Sequence, residues 1–292
     1  MRVTGVQTCA LPISIGLLVR DAERRTNGRV RAVVYSDHGQ EDSRPLRDVV
    51  GRDIEDIVRE TVDHLPDSIV NADAPMSKGV NARPSMKDAL AERIGEQLLG
   101  IEAERCADQR GRTIATMQSG PIAHVYVEPP VDPAYRLALA RGVAGRATGV
   151  AALLLDDRDD VAVALALGEG DAEEPELHSL RDFIEERLAD HPYRQAVAAD
   201  LESLVRHRDA GDLVLLATGC SGEPLTFADE HGSHGGIGPE EMNAFVILPN
   251  DLTLERSAPG DHPRFIDLRR VLLGLRGLDD RRSPGNSQEA SV

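Results

Sequence analysis

The sequence predicts an α/β fold, because short β-branched and aliphatic segments alternate with longer segments that have helical periodicity. Of the 292 residues, 41% are hydrophobic and 28% are charged, which is typical of a globular protein. Aromatic residues make up only 3% and Trp is absent, so the core has to be built from Val, Leu, Ile and Ala. The length suits one large domain or two ordinary ones.

The elements follow from the pattern of apolar residues along the chain. Seven apolar runs bounded by turn residues predict strands at residues 30–35, 113–117, 123–127, 150–155, 161–167, 212–217 and 243–248. Seven segments with apolar residues three and four apart predict helices at residues 15–25, 45–62, 85–106, 135–144, 177–188, 195–206 and 266–275. Residues 63–84 and 219–238 are predicted loops, and residues 279–292 a disordered tail.

Turn residues separate several of these elements. Asn27-Gly28 predicts a turn after the first helix, and Ser119-Gly120-Pro121 a turn between the second and third strands. The acidic run 156–160 predicts a hairpin between the two strands that flank it. We expect a solvated turn there, because the ligand spacing of a calcium loop is absent.

Charge and cysteine content exclude several classes of function. The net charge of −17 repels phosphate backbones, so we expect no nucleic-acid binding. An anionic substrate would need a cation in the site, although the acidity could equally be a general solubility feature. The three Cys have no spacing typical of a zinc ribbon or a disulfide framework. No apolar run is long enough to span a bilayer and no secretory signal is recognisable, which leaves a cytoplasmic or membrane-associated location open.

The most informative motif is Ser36-Asp37-His38-Gly39, which follows the predicted strand 30–35. Polar residues after a buried strand lie where open α/β sheets build their sites. Asp37 and His38 would point to opposite faces of a regular strand, so both can face one metal only where Gly39 lets the backbone turn. A carboxylate and an imidazole suit Zn²⁺, and also Mn²⁺. The alternative is a plain turn in which Asp37 binds backbone amides.

A second motif lies in the predicted loop 219–238, where His231 and His234 are three residues apart among six glycines. Two His in such a loop favour a binding role over packing. His234 is the predicted metal ligand. Candidates for hydrogen bonds that orient the metal ligands are Glu230, His231 and Ser36.

Other chemistries have less support in the sequence. No serine lies in a G-x-S-x-G elbow, and the chain has neither a P-loop nor a G-x-G-x-x-G segment after a strand. Gly219-Cys220-Ser221-Gly222 could be a nucleophile turn, but a plain loop is the simpler interpretation.

The first residues raise a separate expectation. Residues 3–13 match the conceptual translation of a common sequencing-adapter oligonucleotide, so we expect residues 1–14 to be non-native. The protein would then begin near Ser14 or Ile15, and residues 15–278 would be the C-terminal part of a longer domain.

Together the two motifs resemble the alkaline phosphatase superfamily, in its nucleotide pyrophosphatase/phosphodiesterase branch. In that family a strand ends in Ser-Asp-His-Gly and a later loop carries Gly-x-His-Gly, here residues 36–39 and 232–235. Bacterial alkaline-phosphatase-like proteins also have Asp-His-Gly-Gln, then Gly-Ser-His-Gly-Gly before an apolar strand that ends in Pro. Residues 37–40, 232–236 and 245–249 are similar to that pattern. The resemblance spans about residues 15–277, with a weak middle.

The resemblance implies a mixed, mostly parallel sheet with helices on both faces, N-terminally truncated. It also implies two divalent metal ions, usually Zn²⁺, with Asp37 and His38 on one ion and His234 on the other. The activity would be hydrolysis of a small phosphorylated substrate by in-line displacement, as in a phosphodiesterase or phosphatase. The nucleophile and the remaining ligands would lie upstream of residue 15, so we expect this chain alone to be inactive.

Two alternatives stay open. A sister activity, such as a sulfatase or phosphomutase, would share the motifs and differ in the nucleophile. A non-catalytic binding or structural domain would keep the fold without the full ligand set. Membrane attachment would be possible only through upstream sequence.

Overall fold

A computed structural model describes residues 5–28, 30–70, 104–166, 175–219, 222–255 and 262–275. The chain divides into a smaller unit, residues 1–37 with 244–292, and a larger unit, residues 38–243. The predicted tail 279–292 and residues 85–103 of a predicted helix lie outside the described residues.

The helices and strands are numbered in chain order. The helices are α1 (Gly5–Thr26), α2 (Leu46–Val50), α3 (Ile54–Asp63), α4 (Asp67–Val70), α5 (Pro133–Ala144), α6 (Leu180–Arg187), α7 (Arg194–Val205) and α8 (Phe265–Leu275). The long strands are β4 (Glu104–Ala107), β5 (Thr113–Ser119), β6 (Ile122–Glu128), β7 (Val150–Leu155), β8 (Val161–Leu165), β9 (Glu176–Ser179) and β10 (Leu213–Ala217). Two-residue strands are β1 (Val34–Tyr35), β2 (Glu41–Asp42), β3 (Arg44–Pro45), β11 (Leu225–Thr226), β12 (Gly232–Ser233) and β13 (Val246–Ile247).

The larger unit is mixed α/β, with one seven-stranded sheet in the order β4-β5-β6-β10-β7-β8-β9. Every pair of neighbours in this sheet is antiparallel. The central strand β10 lies between β6 and β7, with Leu215 opposite Ala123 on one side and Ala152 on the other. The expectation of a mostly parallel sheet was therefore wrong.

The physical reason for the antiparallel order is the length of the connections. A two-residue turn at Gly120 and Pro121 joins β5 to β6, and the acidic run 156–160 joins β7 to β8. Connections this short can join only antiparallel strands, because parallel pairing needs a crossover of a dozen or more residues. Both turns were predicted from the sequence, and the resemblance was the wrong guide to strand direction.

The sheet is buried on both faces, as a sheet covered by helices requires. Along β7 the residues alternate, so that Ala152 and Leu154 face one apolar cluster and Ala151 and Leu153 face the other. Helices α3 and α5 cover the first face, and α6 and α7 cover the second. The expectation of helices on both faces is confirmed.

Several predicted elements differ from the observed ones at their ends. The predicted helix 45–62 is two helices, because Gly51 adopts a left-handed conformation (φ 74°) that ends α2. The predicted helix 177–188 begins only at residue 180, where the Ser179 hydroxyl accepts a hydrogen bond from Asp182 N at 3.1 Å. Cys106, predicted to be helical, lies in β4.

The smaller unit contains α1, α8 and the β1–β13 pair. The predicted buried strand 30–35 is wrong in length and in burial. Only Val34 and Tyr35 have a partner strand, at Ile247 and Val246, and none of residues 30–35 is buried. The predicted strand 243–248 is shortened in the same way. Nine of the ten large apolar side chains found exposed in the described ranges belong to this unit: Ile13, Leu17, Leu18, Tyr35, Phe245, Ile247, Phe265, Ile266 and Leu275. Within the described ranges, no helix combines the length and apolar character that crossing a membrane requires.

A buried ionic network anchors the first face of the large sheet. Asp108 accepts hydrogen bonds from Arg112 Nη1 at 2.9 Å and from the Tyr135 hydroxyl at 3.0 Å. The Arg112 guanidinium also lies over the Tyr135 ring, 5.2 Å from its centroid. Burial alone would raise the pKa of Asp108, but the hydrogen bonds from Arg112, Arg110 and Tyr135 outweigh it and hold this pKa below its usual value.

We expect Asp108→Asn to destabilise the protein by about 3–5 kcal/mol, because it leaves Arg112 as a buried charge without its partner. The measurement is urea denaturation at pH 7. The pKa of Asp108 is lower in the folded protein than in the unfolded chain. The wild type and Asp108→Asn should therefore differ less in free energy of unfolding as the pH falls through that pKa.

The matched control is Glu185→Gln, which removes an exposed carboxylate 3.7 Å from Arg181. It should change the free energy of unfolding by less than about 1 kcal/mol. Equal effects of the two substitutions would contradict a structural role for the Asp108 network.

Candidate functional site

The two histidines singled out in the sequence lie together in the larger unit. The rings of His38 and His234 are stacked, with centroids 3.7 Å apart and planes inclined by 15°. They are 196 positions apart in the chain, so only the fold brings them together. The predicted convergence of the two motifs is thus present for these two side chains.

A short antiparallel ladder brings the two segments together. Strand β2, just after His38, pairs with β12, just before His234, with Ser233 opposite Glu41 and Gly232 opposite Asp42. Ahead of this ladder, Gly39 N donates a hydrogen bond to Glu241 O at 2.8 Å.

Glycines make this close approach possible. A Cβ on Gly39 would collide with the backbone carbonyl oxygen of Glu240 and lie 2.9 Å from that of Asn243. A Cβ on Gly236 would lie 2.6 Å from both the Glu241 carboxylate and the Pro121 ring. Gly39 is therefore needed for contact with the turn at residues 239–242 and Asn243 beside it. Gly236 is needed for contact with that turn and with the β5–β6 turn, so both glycines serve packing rather than approach to a ligand.

The large sheet supports the His234 segment through its β5–β6 turn. Gly120, which has φ 56°, packs against the His234 carbonyl oxygen and the Ser233 hydroxyl. Phe227 N donates a hydrogen bond to Gly120 O at 2.8 Å, and Ser233 is itself buried. The second histidine therefore sits on a loop fixed to a rigid hairpin.

The ring of His38 is oriented by the backbone. Its Nδ1 lies at hydrogen-bonding distance from the Gly39 carbonyl oxygen. When Nδ1–H donates to this carbonyl, the lone pair lies on Nε2, which is the arrangement found in most metal-binding histidines. His38 is half-buried and His234 is exposed, so the pair faces solvent on one side.

The other candidate residues have different surroundings. Asp37 is exposed and is the last residue of the smaller unit's first segment. Ser36 exchanges two hydrogen bonds of 3.0 Å with the backbone of Phe245, so it fixes the segment that follows β1. His231 is exposed and its carbonyl accepts from Ser43 N at 3.4 Å, while the amide of half-buried Glu230 donates to Ala228 O.

The donors assembled in the structure are fewer than a closed metal site needs. Among the described residues, no three His, Cys, Asp or Glu side chains are grouped to hold one ion. Two imidazoles fit zinc in chemical type, but structural and catalytic zinc sites use three or four protein ligands.

Two residues beside the histidine pair were missed by the sequence analysis. Glu241 is buried and accepts hydrogen bonds from Gly236 N at 2.8 Å and Gly238 N at 2.6 Å. Burial, and then the charge of Glu241, raise the pKa of Glu41. No spacing rule marks these two carboxyls, because they are 200 positions apart and only the fold brings them together.

Comparison with known proteins identified no relative of this chain. No protein-family model, curated protein or solved structure matches the chain. The functional interpretation therefore rests on the residues themselves.

We expect Gly39→Ala to destabilise the larger unit by about 1–3 kcal/mol, the range for overpacking, because the new methyl group meets a fixed backbone carbonyl. Urea denaturation measures the loss. Gly274→Ala is the control, since that helical glycine has open space around it and should gain up to about 1 kcal/mol. A Gly39→Ala protein as stable as the wild type would contradict the close packing.

Proposed function

We propose that the chain contributes His38 and His234 to the metal centre of a phosphoric-ester hydrolase that uses two divalent ions, with zinc as the preferred metal. The two motifs support an alkaline-phosphatase-like site, whereas the antiparallel sheet of the larger unit departs from the mostly parallel sheet that the resemblance implies. Asp37 remains a predicted third ligand, placed by the resemblance rather than by the geometry of the larger unit. The observation that carries the proposal is the stacking of the two imidazoles.

The stacked geometry favours two ions over one. An imidazole binds a metal close to its own ring plane, and these two planes are nearly parallel with centroids 3.7 Å apart. One ion cannot lie near both planes at once without a rotation of one ring. Ions of two-metal sites are about 3.5–4 Å apart, which is close to the ring separation.

The surrounding residues have defined tasks in this proposal. The Gly39 carbonyl accepts from His38 Nδ1 and so holds the ring in one orientation. The β5–β6 turn fixes the backbone of His234 through Gly120. A metal pair would supply charge neutralisation for the attacking and leaving oxygens of a phosphoryl group.

The charge of the chain affects how a phosphate ester could bind at this site. A protein of net charge −17 repels a phosphate ester, and cations held at the histidine pair would offset that repulsion locally. We therefore expect anion binding to require metal, which distinguishes this site from a basic phosphate pocket.

Two linked titrations of the 292-residue chain test the proposal. Zn²⁺ is titrated calorimetrically into the wild type, His38→Ala, His234→Ala and His64→Ala, and inorganic phosphate is then titrated with and without Zn²⁺. Each of the first two substitutions should weaken zinc binding by about 10-fold or more, since even outer partners of a ligand contribute that much. His64→Ala, which removes an exposed histidine at the end of α3, should have no effect.

Phosphate should bind only to the zinc-loaded protein. Because the described donors are too few for two closed sites, we expect no turnover of a phosphodiester by this chain. Phosphate binding of equal strength without zinc would contradict the hydrolase proposal. Zinc binding that is unaffected by both histidine substitutions would contradict the metal site itself.

A further inference from the structure

The carboxyl groups of Glu41 and Glu241 both lie against Gly238. The position that a Cβ of Gly238 would take is in collision with Glu41 Oε2 and 3.0 Å from Glu241 Oε1. Glu41 comes three residues after His38, and the Glu241 carboxylate holds the amides of Gly236 and Gly238 just after His234. The pair therefore lies between the segment that follows His38 and the segment that follows His234.

The environment of this pair does not suit two negative charges. Glu41 Oε2 is buried from solvent, and within the described part of the chain it finds no hydrogen-bond partner. Glu241 is 8% exposed and both of its oxygens already accept backbone hydrogen bonds. A buried carboxylate oxygen without a donor is costly, whereas a protonated one can itself donate to a neighbouring carboxylate.

We propose that Glu41 and Glu241 share one proton, with Glu41 Oε2–H donating to Glu241 Oε1, and that this bond positions the Gly235–Gly238 segment next to His234. Glu241 is the acceptor, because both of its oxygens already accept hydrogen bonds from backbone amides. Glu41 carries the proton and satisfies its own buried oxygen. The pair makes Glu41 and Glu241 positioning residues, and the inference does not depend on metal binding.

The other charged groups around Glu41 do not offset the repulsion. Glu240 and Glu241 face it from the turn at residues 239–242. Their charges favour the protonated form of Glu41 and their backbone hydrogen bonds favour the ionised form, but burial and the charges together outweigh those bonds. The neighbours on β12 and on the Gly235–Gly238 segment carry no charge. Asp42, on the same strand, is exposed.

The sign of the pH dependence follows from proton binding. The pKa of Glu41 is higher in the folded protein than in the unfolded chain, so the folded state holds more protons between these two values. The pair therefore makes its full contribution to the free energy of unfolding at low pH. This contribution is lost as the pH rises from the ordinary carboxyl pKa through the raised pKa of Glu41.

The test uses thermal unfolding of metal-free wild type, Glu41→Gln and Asp42→Asn from pH 4.5 to 8. The Gln amide can donate permanently to Glu241, so Glu41→Gln should equal the wild type at the acid end and gain about 2–4 °C at pH 8. Asp42→Asn removes a charge from the same strand without touching the pair, so it should follow the wild-type profile. Glu241→Gln should lower the melting temperature at every pH, because the Gln amide nitrogen cannot accept from one of the two glycine amides that Glu241 holds.

A second measurement does not require any variant to fold. The side-chain carboxyl carbon of Glu41, followed by ¹³C NMR in the wild type, should titrate above the ordinary glutamate value. Titration at the ordinary value would overturn the proposal. So would a Glu41→Gln protein that is less stable than the wild type across the whole pH range. Since all of these samples lack metal, a negative zinc titration leaves this result unaffected.

Discussion

The close packing of Gly39 against the backbone carbonyls of Glu240 and Asn243 is the constraint on which the candidate site depends. A side chain at position 39 would push the His38 segment away from the turn at residues 239–242. The Gly39 N–Glu241 O hydrogen bond and the β2–β12 ladder can form only at this short distance. The stacking of His38 on His234 follows from these backbone contacts, so a contact without any side chain sets the position of the two imidazoles.

The large sheet gives this arrangement a rigid base. Its central strand is buried on both faces, and each fully buried Leu contributes about 1.5–3 kcal/mol relative to exposure. The β5–β6 turn extends from this core and meets the His234 segment at Gly120 and Pro121. The Asp108–Arg112–Tyr135 network fixes the other end of β5 and β6, where these strands meet α5. The His234 segment is thereby attached to the core directly, and the His38 segment is attached to it through the β2–β12 ladder.

Parts of this structure follow from the sequence, and parts do not. The hairpins at Gly120 and at residues 156–160 could be predicted, because turn residues and apolar runs are local signals. The proximity of His38 and His234 was predicted from the motif resemblance. A motif shared with a family carries information about long-range contacts, whereas hydrophobic periodicity carries none. The same resemblance gave the wrong strand direction, because short connections determine pairing more strongly. The strand at residues 30–35 was overestimated, since β-branched residues form a strand only where a partner is available. Glu41 and Glu241 were missed because one lies on a short strand and the other in a distant turn, and no local pattern connects the two.

The most direct test of the account is a crystal structure of the zinc-soaked chain, with anomalous diffraction data collected at the zinc edge. The account predicts anomalous density within coordination distance of both His38 and His234, with the two rings adjacent. Zinc bound only at other residues, or rings that lie apart in the crystal, would contradict the claim that these two histidines form one metal centre.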